Sequence, residues 1–583
     1  MSGDRDPRLI WTEAGEPRSG RFDDVYFSAE DGLAESRAVF LAGCSLPQAW
    51  GGRDRFTVAE LGFGTGLNIV ALLDLWNRER QTGARLTVFS IEAFPLDLDQ
   101  ARRALARWPE VAGVTDVLLS RWPVRTPGFH RIDLPEFAAV IDLAVGDAAW
   151  ALDQWSGQAD AWFLDGFAPS TNPQMWSDPV LDGIAARSAP DARLATFTVA
   201  GAVRRGLAER GFTVDKRPGH GRKRERLEGR RSGPAPVPRV WPTVAVIGAG
   251  IAGASVVHAL IAEGVRPVLI EAEVPGAGAS GFPAALVTPR FDLGDETIAG
   301  LFAQALERAR DLYLTIPGAV IAEGVRQRPS SDRDIGRFAR IADQPIWPAG
   351  SMMTQDDGSL GMAQALTVHP AAIMADWLGD VERLTWPVLE VGSGGDGWIV
   401  SGMTGQVLRA DTVVLAAGWG AQGLVQDLAL TPVRGQADWV QAPSPVAEAW
   451  GGYVAPTPDG FLFGATHDRG DTTTEPREAD TQRNLATLAA RSPDLARVAS
   501  RASGRARAAV RATTRDRLPL AGAVADRPGL FVLGGLGSRG FCLAPLLAEH
   551  VAALILDRPS PLPKAVAERV SPGRAAARAV PEP

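Results

Sequence analysis

Only two cysteines, Cys44 and Cys542, and six histidines occur in 583 residues. No disulfide framework can be built from them and no Cys/His cluster stands at metal-ligand spacing, so a reducing compartment and metal-free chemistry are expected. The first residues, Met1-Ser-Gly-Asp-Arg-Asp6, lack the apolar core of a secretory signal, and a cytoplasmic protein is expected. Long hydrophobic runs are also missing. Residues 244–262 come nearest, but three motif glycines and His258 interrupt them, which favours a strand, a turn and a helix over a membrane span. Basic charge is not in excess: 60 Lys and Arg face 68 Asp and Glu, a net charge of −8. No internal repeat is present.

What is there is ordinary globular composition, 45% apolar and 22% charged, in a chain longer than one hydrophobic core serves. Apolar strands near residues 56–61, 86–92, 140–143, 161–164 and 192–197 alternate with helix-like segments, which predicts a doubly wound parallel sheet. Eight Lys and Arg then crowd residues 216–231 against Glu225 and Glu228. This is a local positive patch centred on Arg222, Lys223 and Arg224, suited to phosphates. The prolines of Ser232-Gly-Pro-Ala-Pro-Val-Pro238 read as a linker. The sequence therefore predicts an α/β domain over 1–235, a second over 240–560, and a mobile Pro, Ala and Arg-rich tail over 561–583.

Each domain carries a glycine-rich nucleotide signature. In the first, Glu60-Leu-Gly-Phe-Gly-Thr-Gly66 lies between the strand-like Phe56-Thr-Val-Ala59 and the helix-like Leu67 to Trp76. Glu60, Gly62, Gly64 and Gly66 would line S-adenosylmethionine, the glycines letting the backbone pass close under it. Glu92, ending the next strand, would take the ribose hydroxyls, and Asp147 would meet the adenine unless it is a solvated loop residue. The strand Ala161-Trp-Phe-Leu164 ends in Asp165-Gly-Phe167-Ala-Pro169. A carboxylate there can hold an amine and take its proton while Phe167 packs on the acceptor. The simpler reading is an Asp that caps a turn.

In the second domain, Gly248-Ala-Gly-Ile-Ala-Gly253 follows the apolar Val244-Ala-Val-Ile247 and precedes a helix of small residues, and Glu271 ends the next strand. Gly248 turns the chain, Gly250 admits a pyrophosphate, Gly253 lets helix pack on strand, and Glu271 binds a ribose. The chain returns to this sheet at Val413 to Gly418, where Gly418 would also meet the cofactor. Gly535, Gly537, Ser538, Arg539 and Gly540, within Gly534-Gly-Leu-Gly-Ser-Arg-Gly540, would offer backbone donors to a flavin ring. Only one such fingerprint occurs, which argues against a second, nicotinamide-binding fold. Cys542 just beyond could anchor a flavin covalently, or be a small buried thiol.

Several long strings together resemble one family: Phe22-Asp-Asp-Val-Tyr-Phe-Ser28, Gly62-Phe-Gly-Thr-Gly-Leu-Asn68, Trp162 to Pro169, Ala195-Thr-Phe-Thr198, Gly221-Arg-Lys-Arg-Glu225 and Leu536-Gly-Ser-Arg-Gly540. Over nearly its whole length the chain is similar to the bifunctional bacterial enzymes of tRNA 5-methylaminomethyl-2-thiouridine biosynthesis. The resemblance implies a Rossmann-like methyltransferase fused to an FAD oxidoreductase of the D-amino-acid-oxidase type, α/β with a mixed substrate subdomain. It also implies FAD and S-adenosylmethionine as cofactors and tRNA as the partner. At the wobble uridine the flavin domain would remove a carboxymethyl group, and the first domain would methylate the amine that remains. Arg511 matches the arginine that such oxidases use to grip a substrate carboxylate. Without the resemblance it is one of six basic residues between Arg501 and Arg517.

One departure concerns Ala279-Ser-Gly-Phe-Pro-Ala-Ala-Leu-Val287, where relatives usually follow Ser-Gly with an Asn. Two other readings stay open: a fused small-molecule amine oxidase and N-methyltransferase without RNA, and a flavin-bearing RNA-binding protein with an idle redox site.

Overall fold

The computed structural model describes residues 5–13, 15–27, 31–221, 224–234 and 241–574. The chain divides into two compact units, 1–239 and 240–583.

The first unit opens with a small antiparallel sheet, β1 (Leu9–Trp11), β2 (Pro17–Ser19) and β3 (Asp24–Val25). Its body is an eight-stranded sheet. β4 (Arg55–Leu61) lies between β5 (Arg85–Glu92) and β8 (Ala159–Leu164); β7 (Ala139–Val145) and β9 (Ser188–Thr196) extend it in parallel. These central strands are apolar almost throughout because both faces are covered. On β4, Phe56 and Val58 enter one core cluster while Ala59 and Leu61 enter the other. The edges run antiparallel, and the sequence did not predict them. β6 (Gly128–Leu134) pairs with β7, and a hairpin of β10 (Phe212–Pro218) and β11 (Glu225–Arg231) closes the other side.

The second unit holds a six-stranded sheet in the order Glu382–Thr385, Val268–Glu271, Val244–Ile247, Thr412–Leu415, Leu530–Gly534, Leu520–Ala523. All its pairings are parallel except the last. A second, mixed ten-stranded sheet includes the long antiparallel pair Thr431–Val440 and Gly504–Thr513. The helices Ile251–Ala262 and Gly540–Leu556 are hydrophobic nearly all round, since both lie within one buried cluster with Glu296–Leu314.

The expected mobile tail needs correction. Residues 561–574 are packed: Lys564–Val570 is a helix, Leu562, Val566 and Val570 are buried, and Arg574 pairs with Asp516 at 2.9 Å. Val566 and Val570, four apart, share one face of that helix, which the Pro, Ala and Arg composition conceals. Residues 575–583 lie outside the described residues. Among the described residues no helix is long and apolar enough to cross a membrane.

Candidate functional site

Sheet topology gathers the first unit's signature residues at one rim, because β4, β5, β7 and β8 run parallel and end together. Gly62 has φ +87°, and a Cβ there would stand 2.3 Å from the Asp165 carbonyl oxygen. Only glycine fits this close approach of two strand ends. The Gly64 N–H donates to Glu92 Oε2 at 2.9 Å and the Phe94 N–H to Oε1 at 2.8 Å, so the loop and the expected ribose acid are tied together. Burial pushes the Glu92 carboxyl above its usual range. Gly66, with φ +79°, is the N-cap of the helix Leu67–Glu79. This glycine turn, which side chains at Gly62 and Gly66 would obstruct, and the acid beside it fit S-adenosylmethionine.

Two further residues of the sequence reading have a definite place here. Glu60, expected at the cofactor, is fully buried and spends its carboxyl internally: Asn68 Nδ2 donates to Oε1 at 3.1 Å and Ser90 Oγ to Oε2 at 2.6 Å. It sits in the middle of the sheet, opposite Ser90 and Phe163, so its side chain lies beneath the rim. Asp147, expected at the adenine or in a solvated loop, is the N-cap of the helix Ala148–Gln154. Its Oδ1 accepts from the N–H groups of Ala149 at 3.0 Å and Trp150 at 3.2 Å.

Asp165 ends β8, and its Oδ2 accepts from Asn68 Nδ2 at 2.7 Å. Half-buried aromatics stand next to it. Phe167 stacks on Phe22 with centroids 5.0 Å apart and meets Tyr26 edge-on at 5.3 Å, while Phe22 also touches Phe94. The Ala168 N–H donates to Asp24 Oδ2 at 3.1 Å and ties this loop to the N-terminal sheet. Burial and the nearby Glu92 charge push the Tyr26 hydroxyl above its usual range. Phe22, Tyr26 and Asn68 carried no role in the sequence reading, although all three stand in strings that marked the family.

In the second unit a cavity of about 1210 Å³ is lined by Gly248, Gly250, Glu271, Gly418 and Arg511, and by Gly535, Gly537, Ser538, Arg539 and Gly540. The sequence-predicted residues on these distant segments are thus brought together. Gly253 lies one turn beneath: a Cβ there would stand 1.7 Å from the Gly248 carbonyl, so helix and turn meet backbone to backbone. Glu271 Oε2 accepts from the Ala249 N–H at 2.6 Å, which fixes the acid at the glycine turn. Ser280, inside the divergent segment, accepts from the Ile251 N–H at 2.9 Å. Arg539 bonds the Thr288 hydroxyl and helps to close the cavity. Cavity size, glycine turn and acid fit FAD. Cys542 is fully buried in the helix Gly540–Leu556, its thiol pushed up to about 12 by burial.

Arg511 projects from the strand Gly504–Thr513 onto the cavity and is half-buried. No carboxylate pairs with it among the described residues; its neighbour Tyr453 has a hydroxyl that burial holds above its usual range. His467 lines the same cavity, held below its usual range by burial and by the Arg511 charge. A partly buried guanidinium without a counter-ion, open to a cavity, is suited to a carboxylate ligand.

The positive patch is a β-hairpin with much of its charge already matched. Lys216 pairs with Glu225 at 2.7 Å, Arg226 with Glu228 at 2.6 Å, and Arg230 with Asp191. Arg224 is exposed near its tip, whereas Arg222 and Lys223 lie outside the described residues. Among the described residues no group of three His, Cys, Asp or Glu side chains is arranged for a metal ion.

Comparison with known proteins agrees with this division. Residues 109–232 match the S-adenosyl-L-methionine-dependent methyltransferase family and residues 243–554 the FAD dependent oxidoreductase family. The chain is 53% identical to a tRNA 5-methylaminomethyl-2-thiouridine biosynthesis bifunctional protein of Caulobacter sp. (strain K31), covering 98% of each. It is 44% identical to the protein of that name from Maricaulis maris, covering 98% of this chain and 96% of that one. Among solved structures, iminodiacetate oxidase from Chelativorans sp. shares the fold of the second unit at 20% identity and TM-score 0.50, covering 56% of this chain and 98% of that one. The chain therefore belongs to the family of bifunctional tRNA 5-methylaminomethyl-2-thiouridine biosynthesis proteins, an S-adenosylmethionine-dependent methyltransferase and an FAD-dependent oxidoreductase in one polypeptide.

Proposed function

We propose that the protein converts 5-carboxymethylaminomethyl-(2-thio)uridine at the wobble position of tRNA into 5-methylaminomethyl-(2-thio)uridine, in the cytoplasm and in two steps. The observation that carries this reading is the pairing of two different sites in one chain. Arg511, without a carboxylate partner among the described residues, faces the flavin-sized cavity, and Asp165 stands at the rim of the methyltransferase sheet.

In the first step Arg511 grips the carboxylate of the carboxymethyl arm and orients the CH2 next to nitrogen. FAD held by Glu271 and the glycine loops supplies the two-electron acceptor for that carbon–nitrogen bond. Water then cleaves the oxidised arm and leaves a primary amine and glyoxylate. In the second step Asp165 holds the amine N–H and receives its proton as the N–CH3 bond forms and the sulfur–carbon bond breaks, its electron pair staying on sulfur. Phe167 packs on the acceptor. Gly62, Gly64, Gly66 and Glu92 hold S-adenosylmethionine, and Arg222, Lys223 and Arg224 contact tRNA phosphates.

Nucleoside analysis tests the reading. Incubating tRNA that bears the carboxymethylaminomethyl group should yield the aminomethyl nucleoside without S-adenosylmethionine and the methylaminomethyl nucleoside with it. Turnover of free amines with no change in tRNA would favour the small-molecule alternative.

A further inference from the structure

Asn68 sits in the first turn of the helix Leu67–Glu79, directly behind the glycine loop, and is 7% exposed. Both ends of its amide are engaged. Ser36 Oγ donates to Oδ1 at 2.6 Å, and Nδ2 donates to both Asp165 Oδ2 at 2.7 Å and Glu60 Oε1 at 3.1 Å. The Asp165 carboxylate, which can only accept, fixes which way the amide faces, so both N–H groups point at carboxyls and Oδ1 is left for the Ser36 hydroxyl. One side chain thus bridges the carboxylate at the rim and a fully buried carboxyl beneath it.

We propose that Asn68 is a positioning residue for methyl transfer, fixing Asp165 toward the acceptor amine and keeping the negative charge of the Glu60–Asp165 pair on Asp165. This rests on the reading of Asp165 given above. The groups that face the pair are Glu60 on β4, Glu92 on β5 and Asp165 on β8, with Tyr26 beside Glu92. The charges that act on Glu60 are those of Asp165 and Glu92, both of its own sign, so two adjacent anions would be unfavourable. Burial, with added repulsion from Asp165 and Glu92, pushes the Glu60 carboxyl up to about 8. Near neutral pH Glu60 is therefore protonated and can turn its contact with Ser90 into a donated one. The Asn68 N–H favours the charged form of Asp165, which is the form that accepts the proton of the new N-methylamine.

The test is single-turnover methylation of tRNA already bearing the aminomethyl group, followed across pH in the full-length FAD-loaded protein, with S-adenosylmethionine affinity measured by calorimetry. Asn68→Ala should lower the rate at neutral pH by roughly tenfold to a hundredfold, the scale of mispositioned acid/base catalysis. It should also move the acidic limb of the profile to higher pH, because Asp165 loses a bond to its anion. Affinity for S-adenosylmethionine should stay within about threefold, since the side chain acts behind the loop. Ser36→Ala, which removes only the amide's anchor, should shift the limb the same way by less, and it serves if Asn68→Ala does not fold. An unmoved limb in both variants overturns the inference. So does a rate loss matched by an equal loss of cofactor affinity, which would place Asn68 in the cofactor cradle. Wild-type protein idle on this tRNA would instead overturn the reading of the substrate.

Discussion

The guanidinium of Arg511 occupies the space where a side chain on Gly435 would begin: a Cβ there would stand 2.3 Å from Nη2 and 2.5 Å from Cζ. Residue 435 faces Ala509 in the antiparallel pair, and Arg511 reaches back along its strand to lie over it. Gly435 therefore leaves the room in which the Arg511 guanidinium, the proposed carboxylate grip, lies.

Gly435→Ala should fold and keep its FAD, because the far end of a flexible side chain can move aside. The oxidative step should nevertheless lose roughly tenfold to a hundredfold in kcat/KM, the scale of an ångström-sized misplacement. Steady-state oxidation with flavin content measured on the same sample checks this. Unchanged kcat/KM would mean that the carboxylate does not sit at Arg511.

Part of the hairpin's charge is already paired, that of Lys216 and Arg226 among it. Replacing Arg222, Lys223 and Arg224 together by Ala should weaken tRNA binding and reduce the slope of log affinity against log salt by up to about 3. Replacing Lys216 or Arg226, each already bonded to a glutamate, should change the slope by less than about 1. Equal effects from both sets, read by binding titrations between low and physiological salt, would show that the ion pairs open when tRNA binds.

His550 supplies a pH dependence of stability. It is buried in the helix Gly540–Leu556 with Nδ1 2.7 Å from Ser560 Oγ, and burial holds it down at about 4 against 6.5 for a free imidazole. Folding therefore keeps it neutral where the unfolded chain binds a proton. Its contribution is full above pH 6.5 and declines as pH falls toward 4, by roughly 3 kcal/mol in all. Flavin release during urea unfolding should show wild type losing this increment relative to His550→Gln between pH 7 and pH 4.5. Parallel pH profiles would contradict it.

Much of both sites was legible because nucleotide turns are local. Strand, glycine loop and acid are written within thirty-odd residues, so Gly62 to Glu92 and Gly248 to Glu271 could be placed from spacing alone. Arg511 was reached through family resemblance, and its role depends on a partner in the facing strand, Gly435, 76 residues earlier. Such pairings leave no periodic trace. Asn68 was hidden for a related reason: its three bonds run to residues 36, 60 and 165, each on a different element. Glu60 stands in the motif, yet its carboxyl is spent on Asn68 and Ser90 beneath the rim, bonds between separate elements that a motif does not record. In the positive patch, counting in sequence sets Glu225 against the basic residues but cannot say which it meets, whereas β10 and β11 place it beside Lys216.

The most direct measurement follows both half-reactions in two variants, Arg511→Ala and Asp165→Ala, by nucleoside analysis of one tRNA pool. Arg511→Ala should lose a few kcal/mol of transition-state stabilisation in removing the carboxymethyl group, yet methylate tRNA already bearing the aminomethyl group at near wild-type rate. Asp165→Ala should form the aminomethyl nucleoside normally, still bind S-adenosylmethionine, and methylate roughly a hundredfold more slowly. Equal losses in both half-reactions for either variant, or no loss in the half-reaction assigned to it, would contradict two separable sites with these residues at their centres.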